Sequence, residues 1–202
     1  MTRNHSLARA CPAKHVLGII TLLTLTTLYG CAAPVLVAGG AAAGATAADQ
    51  RTTGTVVEDN AIELKAQEAI YTDDRLKKQV HVNITSYNGI VLLTGEAPTT
   101  EMSDAVVSHV QQIAKVRHIH NEIIIAPPSN LSDRSQDSWI TTKVKAMHFG
   151  NKEVNGLNIK VVTEHRVVYL MGMVSQPEGD AATNLAREVE GVSQIVKMFE
   201  YQ

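Results

Sequence analysis

The chain has 202 residues, of which 45% are hydrophobic and 19% charged, a composition typical of a globular protein with one medium domain or two small ones. Its 18 Lys and Arg residues nearly balance its 20 Asp and Glu residues, giving a formal net charge of -2. This balance excludes bulk attraction to nucleic acid or anionic lipid, so any such binding must come from a local patch.

Residues 1–30 are predicted to be an export signal. Three basic residues precede an apolar run, 16–28, that is too short to cross a bilayer as a stable helix. The run ends in LYGC (28–31), which resembles the bacterial lipobox, where a small residue precedes a cysteine that is lipidated after cleavage. This resemblance implies that Cys31 carries palmitate and that Ala32 after it directs the protein to the outer membrane. The alternative is an ordinary signal peptide that happens to end beside a cysteine.

Residues 31–57 are predicted to be a flexible tether, because small residues dominate them and cannot bury enough surface to offset their ordering entropy. The other cysteine, Cys11, lies in the predicted signal, so the mature chain can form no internal disulfide. Removal of residues 1–30 takes away three basic and no acidic residues, which leaves a formal charge of -5.

The remaining sequence contains one module twice. Asp59, Ile62 and Lys65 recur 78 positions later as Asp137, Ile140 and Lys143. The repeat predicts domains at 58–126 and 138–202, separated by an exposed linker, 127–137, rich in Pro, Ser, Asn and Asp.

Each module is predicted to have the order α-β-β-α-β, an α+β fold with a small mixed sheet and two helices on one face. Alternating apolar residues predict paired strands at 80–86 and 90–95, and at 158–163 and 167–172. Helical spacing predicts second helices over 100–114 and 177–190, and final strands follow at 116–125 and 192–201. Asn88-Gly89 is a strong hairpin-turn signal, whereas Arg166 replaces Gly89 in the second copy, whose turn must differ or accept strain.

This element order, the glycines that close each second strand (Gly95 and Gly172) and EGV at 190–192 resemble the BON-domain family. With the lipobox and the tether, the whole arrangement is similar to dual BON-domain outer-membrane lipoproteins of Gram-negative bacteria. The resemblance implies a lipid-anchored, non-enzymatic protein on the periplasmic face of the outer membrane. It also implies binding of anionic phospholipid (phosphatidylglycerol or cardiolipin) through the first helix of the second module, in support of envelope integrity and at division sites.

The first helix of the second module has two apolar faces. At 100° per residue from Trp139, Ile140, Val144 and Met147 fall at about 80–140° and predict a stripe that faces the sheet. Trp139, Ala146 and Phe149 form a separate stripe near Lys143. Because the first module has Ala61 and Glu68 at the corresponding positions, the aromatic face is expected in the second module only.

Aromatic rings flanked by lysines are typical of a helix that lies in a membrane interface. The predicted lipid-binding residues are Trp139, Lys143, Val144 and Phe149, although the wheel places Val144 in the core. Alternatively, Trp139 and Phe149 pack against the other module or the linker. Other functional hypotheses are an adaptor for an outer-membrane assembly or division protein, and a stress-related module that binds peptidoglycan or unfolded proteins.

We predict no metal site, no cofactor, no catalytic residue and no nucleic-acid partner. His118 and His120 share one face of a strand, but His109, the only nearby third ligand, lies on another element. The sequence shows no nucleophile elbow, Gly-rich phosphate loop or acid-base pair of defined spacing.

Overall fold

The computed structural model describes residues 50–202, all of which belong to one compact unit that spans residues 41–202. The predicted signal peptide, the lipidation site Cys31 and most of the predicted tether lie outside the described residues.

The first module has the predicted α-β-β-α-β order. Its elements are α1 (Thr53–Thr72), β1 (His81–Tyr87), β2 (Ile90–Ala97), α2 (Thr100–Gln111) and β3 (His118–Ile125). Thr52 and Thr99 begin the two helices, because each hydroxyl accepts a hydrogen bond from the backbone amide three residues later. The strands β1 and β2 form an antiparallel hairpin, and α2 provides the crossover that lets β3 run parallel to β2. The helix α1 extends into the segment predicted as tether.

The second module repeats this architecture. Its elements are α3 (Leu131–Gly150), β4 (Ile159–Glu164), β5 (Val167–Val174), α4 (Gln176–Arg187) and β6 (Gln194–Tyr201), with β4 antiparallel and β6 parallel to β5. The helix α3 begins inside the segment predicted as linker, because Asn130 caps it through a 3.0 Å hydrogen bond from the Asp133 amide. Two mixed three-stranded sheets in an α+β fold are confirmed.

Each module buries its two helices against one face of its own sheet. In the first module, Ile62 and Ala66 of α1 pack in a core with Val91 and Leu93 of β2. In the second, Ile140 and Val144 of α3 pack with Val168 and Leu170 of β5, among others. The core stripe predicted for α3 is therefore confirmed at Ile140 and Val144, with Met147 partly buried beside them.

The two hairpin turns adopt the same conformation despite their different sequences. Asn88 and Gly89 have φ angles of 52° and 73°, and His165 and Arg166 have φ angles of 48° and 64°. Positive φ at both central residues is the pattern of a type I′ turn, in which glycine or asparagine is normally favoured. The second turn therefore accepts backbone strain, one of the two outcomes that the sequence left open.

The modules contact each other through the sheet faces that their helices leave open. A shared apolar cluster contains Tyr87 and Leu92 of the first module with Tyr169, Met171 and Met198 of the second. The Tyr87 hydroxyl donates to the Asn158 carbonyl at 3.0 Å and accepts from the Met173 amide at 3.3 Å. Burial raises the pKa of Tyr169 to about 12, and the charges of Glu122 and Glu164 add to the effect.

Candidate functional site

The helix α3 presents two aromatic rings to solvent. Trp139 is 47% exposed and Phe149 is 59% exposed, although both modules are in place around them. Large apolar side chains on a surface are informative when they lie together with a cation on one side of a helix. We call Trp139, Lys143 and Phe149 the aromatic face of α3.

Lys143 and Trp139 form one unit on this face. They lie one turn apart, and the Lys143 ammonium is 5.5 Å from the centroid of the Trp139 ring, within the range of a cation–π contact. The contact places a positive charge directly beside an apolar ring. Such a pair can meet a headgroup phosphate and the upper part of the acyl chains at the same time.

Phe149 packs against the loop that follows α3. The ring lies so close to Gly156 that a Cβ at this glycine would be 2.9 Å from the Phe149 Cδ1 atom. Leu157, the next residue, is 43% exposed. The loop thus holds the ring while its outer side remains accessible, and it adds a further apolar side chain nearby.

Val144 does not belong to this face. Its side chain is completely buried between the helix and the sheet, in the core that also contains Ile140 and Val161. The prediction that Val144 contacts lipid is therefore wrong for this conformation, because the helical period that exposes Trp139 turns Val144 inward. Three of the four predicted site residues remain accessible.

The contact between the modules does not use the aromatic face. It is formed by the open sheet faces and by polar pairs at their edges, such as the 2.7 Å hydrogen bond from Asn83 to Glu164. Packing against the first module therefore does not account for Trp139 and Phe149. The exposed rings remain available for a partner outside residues 50–202.

The first helix of the first module also exposes large apolar and aromatic side chains. Tyr71 corresponds to Phe149 and is 61% exposed. Leu64, seven residues before Tyr71, is 69% exposed, and Val57, seven residues before Leu64, is 61% exposed. The expectation that an aromatic face occurs in the second module only is corrected, because α1 also exposes an aromatic ring at Tyr71. What distinguishes α3 is the pairing of tryptophan with lysine, since Ala61 replaces Trp139 in α1.

The histidines considered as metal ligands do not converge. The rings of His118 and His120 are 4.5 Å apart, but His109 lies 3.0 Å from Asp73 instead. Burial lowers the pKa of His120, and the charge of His118 adds to the effect. A different set, Glu96, Glu164 and His165, is brought together from both modules, and no local pattern in the sequence indicates it.

Among residues 50–202, no helix has the length and apolar character needed to cross a bilayer.

The chain is similar to known proteins over most of its length. Residues 58–127 and 136–202 each match the BON-domain family. The chain is 37% identical over 174 residues to the outer membrane lipoprotein DolP of Haemophilus influenzae. This alignment covers 86% of this chain and 90% of that protein. It is also 37% identical over 153 residues to a 21 kDa hemolysin of Actinobacillus pleuropneumoniae, over 76% of this chain and 79% of that protein. A shorter stretch of 60 residues is 40% identical to the osmotically-inducible protein Y of Escherichia coli K12, over 29% of this chain and 30% of that protein.

Proposed function

Because this chain belongs to the BON-domain family, we propose that it is a non-enzymatic lipoprotein on the periplasmic face of the outer membrane whose second module binds anionic phospholipid through α3. The similarity to a protein described as an outer membrane lipoprotein supports the location. The predicted signal, lipobox and acylated Cys31 would supply the anchor.

The observation that carries the proposal is the exposed Trp139–Lys143 pair with Phe149 on the same helix. Trp139 and Phe149 are ten residues apart, so they lie about 15 Å apart along the helix axis. Two rings so far apart can both enter a lipid surface only if α3 lies roughly parallel to it. This is the orientation of an interfacial helix.

The charge of the chain requires such a local site. The mature chain has a formal charge of -5, so its overall field would repel an anionic membrane. Lys143 beside the rings would contribute about 1 kcal/mol at an anionic surface, and this contribution weakens with salt. The binding would be weak by itself, but a lipid anchor on the same chain raises the effective concentration enough for it to matter.

By this mechanism the protein would collect where phosphatidylglycerol or cardiolipin collects, including division sites, and would support envelope integrity there. The second module would act as the lipid sensor, and the first would be held at a fixed orientation by the contact between the sheets.

The test is co-sedimentation of residues 50–202 with vesicles of phosphatidylglycerol or cardiolipin, against neutral phosphatidylcholine vesicles. We expect binding to the anionic vesicles only, weakened by salt and lost when Trp139 and Phe149 are both changed to Ala. Tyr71→Ala is the matched control, because it removes an equally exposed aromatic ring at the equivalent position of the first module. Equal binding to neutral vesicles, or loss of binding in Tyr71→Ala alone, would contradict the proposal.

A second candidate function rests on α1. Its stripe of Val57, Leu64 and Tyr71 is apolar and carries no aromatic–lysine pair, which favours contact with a protein. Here the chain would act as an adaptor for an outer-membrane assembly or division protein, or for peptidoglycan or unfolded clients. An adaptor would show saturable binding to one partner that is lost in Leu64→Ala and insensitive to the lipid headgroup.

A further inference from the structure

Three potential metal ligands converge where the two modules meet. Glu96 comes from β2 of the first module, and Glu164 and His165 come from the end of β4 and the following turn of the second. One ligand atom from each lies within 4.8 Å of the others, and His165 Nε2 is 2.6 Å from a Glu96 carboxylate oxygen.

The state of Glu96 gives an independent indication of a ligand. Its side chain is completely buried, yet neither carboxylate oxygen accepts a well-formed hydrogen bond from any residue of 50–202. Its ionisable neighbour is the His165 imidazole, whose Nε2 lies 2.6 Å from one of these oxygens. A buried carboxylate whose oxygens are incompletely satisfied is costly unless a cation completes its coordination.

Glu164 is already oriented by a neighbour. It is 5% exposed, and the Asn83 amide donates to one of its oxygens at 2.7 Å. Such an outer partner fixes a ligating carboxylate and leaves its other oxygen for the ion. Its ligand oxygen lies within 4.8 Å of one from Glu96, so the two carboxylates repel each other when both are ionised. A cation between them would relieve this repulsion.

A further imidazole and a route for the ion lie on the same side of the sheet as Glu96. His81 is the direct partner of Glu96 in the β1–β2 pairing, so both side chains leave the sheet on the same face. His81 also lines, together with Asn83, Arg134 and Glu164, an open cavity of about 440 Å³ between the modules. A hydrated ion can reach Glu164 through this cavity.

We propose that Glu96, Glu164 and His165 form a binding site for a divalent transition-metal ion, Zn²⁺ by its ligand chemistry, that links the two modules. An imidazole with carboxylates suits Zn²⁺, whereas Mg²⁺ and Ca²⁺ prefer oxygen ligands alone. Zinc bonds of about 2.0–2.2 Å place tetrahedral ligand atoms roughly 3.3–3.6 Å apart. The three ligand atoms lie within 4.8 Å of one another, so side-chain movements alone bring them to this spacing. Water or the His81 imidazole would complete the coordination.

Because the ligands come from both modules, the ion would stabilise the sheet-to-sheet contact and the relative orientation of α1 and α3. The site is separate from the aromatic face and does not depend on lipid binding. It bears on how firmly the two modules are held together rather than on what the second module binds.

The test is titration of the full chain, purified in detergent and freed of metal with EDTA, with ZnCl₂ by isothermal calorimetry, and with MgCl₂ for comparison. We expect one Zn²⁺ per chain at this site, a rise of several degrees in the unfolding temperature with Zn²⁺, and no effect of Mg²⁺. Glu96→Gln and His165→Asn should each weaken this binding at least tenfold and abolish the temperature shift. Asparagine is chosen because it tolerates the positive φ of 48° at position 165.

The matched control is the double change His118→Asn and His120→Asn, which removes the other close pair of imidazoles and should leave the zinc affinity unchanged. No variant changes a cysteine, so any zinc binding by a cysteine thiol cancels in the comparison. If Glu96→Gln does not fold, the partly exposed His165 still gives the answer. The proposal is overturned if zinc binding survives His165→Asn, or if it is lost in the His118/His120 variant instead.

Discussion

Asp137 occupies in the second module the same structural position that Asp59 occupies in the first. Asp59 accepts hydrogen bonds from the backbone amides of Asn88 and Gly89 at 2.7 and 2.9 Å. Asp137 accepts from the amides of His165 and Arg166 at 3.0 and 2.8 Å. Each carboxylate lies near the start or middle of the first helix of its module and fixes the hairpin turn beneath it. The pair explains why a turn without glycine can hold two positive φ angles.

We predict that Asp137→Ala lowers the free energy of unfolding by about 2–4 kcal/mol, since it leaves two amides without an acceptor in a strained turn. Asp59→Ala should cost more, because Asp59 also binds the Ser86 hydroxyl at 2.7 Å and Arg51 at 2.8 Å. Urea denaturation of both variants measures the difference. The exposed Asp104 is the control, and Asp104→Ala should change stability by less than about 0.5 kcal/mol. A cost below about 1 kcal/mol for either buried aspartate would show that these bonds do not hold the turns.

The fold could be predicted from the sequence because the same pattern of helices and strands occurs in both modules, so each copy supports the assignment of the other. The recurrence of Asp59 as Asp137 was visible, but the role of these residues was not, since each acts on a turn nearly 30 residues away. The wheel placed Trp139 outside and Ile140 inside correctly. It could not decide between two uses of Val144, which the resemblance assigned to lipid and the packing assigns to the core.

Features that depend on the approach of the two modules could not be predicted. Glu96 and Glu164 are 68 positions apart, and neither module alone shows that they share a site. The exposed Tyr71 is a different case. It lies in the last turn of α1, and the offset of 78 that relates the two modules pairs it with Phe149, so the sequence does contain a signal for its exposure.

Lys115 is strained where the second module has a glycine. Its φ is 74°, and Gly191 in the corresponding loop has a φ of 93°. A left-handed conformation costs a residue with a Cβ about 1–2 kcal/mol, and a change to glycine removes this cost. The change also increases the entropy of the unfolded chain, which offsets about 0.4–1 kcal/mol of the gain. We predict that Lys115→Gly raises the free energy of unfolding by about 0.5–1 kcal/mol in urea denaturation.

The reverse change in the second module provides the control for this prediction. Gly191→Ala should destabilise the protein, because a Cβ there adopts the same unfavourable φ and lies 3.3 Å from the Ile140 side chain. The ion pair from Lys115 to Glu58, at 3.6 Å and exposed, contributes little that Lys115→Gly would lose. A loss of stability in Lys115→Gly would mean that the backbone at this position is not under strain.

The Tyr87 hydroxyl stabilises the contact between the modules through two hydrogen bonds to the second module. Tyr87→Phe keeps the ring in the shared cluster but leaves the Met173 amide and the Asn158 carbonyl without this partner. We predict a loss of about 1–2 kcal/mol of stability and faster hydrogen exchange at the Met173 amide than at amides in the two cores. Unchanged exchange at Met173 would show that the contact does not rely on this hydroxyl.

His148 makes the second module sensitive to acid. It is 1% exposed in the last turn of α3, its Nε2 lies 3.0 Å from the Ala182 carbonyl, and its buried Nδ1 has no hydrogen-bond partner among residues 50–202. Burial lowers the pKa of His148 below its usual 6.5, although the bond to Ala182 acts in the opposite direction. The folded protein therefore keeps this imidazole neutral at a pH at which the unfolded chain binds a proton.

The stability contributed by a neutral His148 is complete above pH 6.5 and is lost as the pH falls below it, because the unfolded state then takes up the proton that the folded state excludes. We predict that the free energy of unfolding falls less steeply between pH 6.5 and 5 in His148→Gln, whose amide can still donate to Ala182 but does not titrate. The pKa of His120 is lowered as well, so the comparison must be the difference between the variant and the wild type rather than the absolute slope. If the two stability curves run parallel over this range, the pKa of His148 is the same in the folded and unfolded states, and burial does not keep this imidazole neutral.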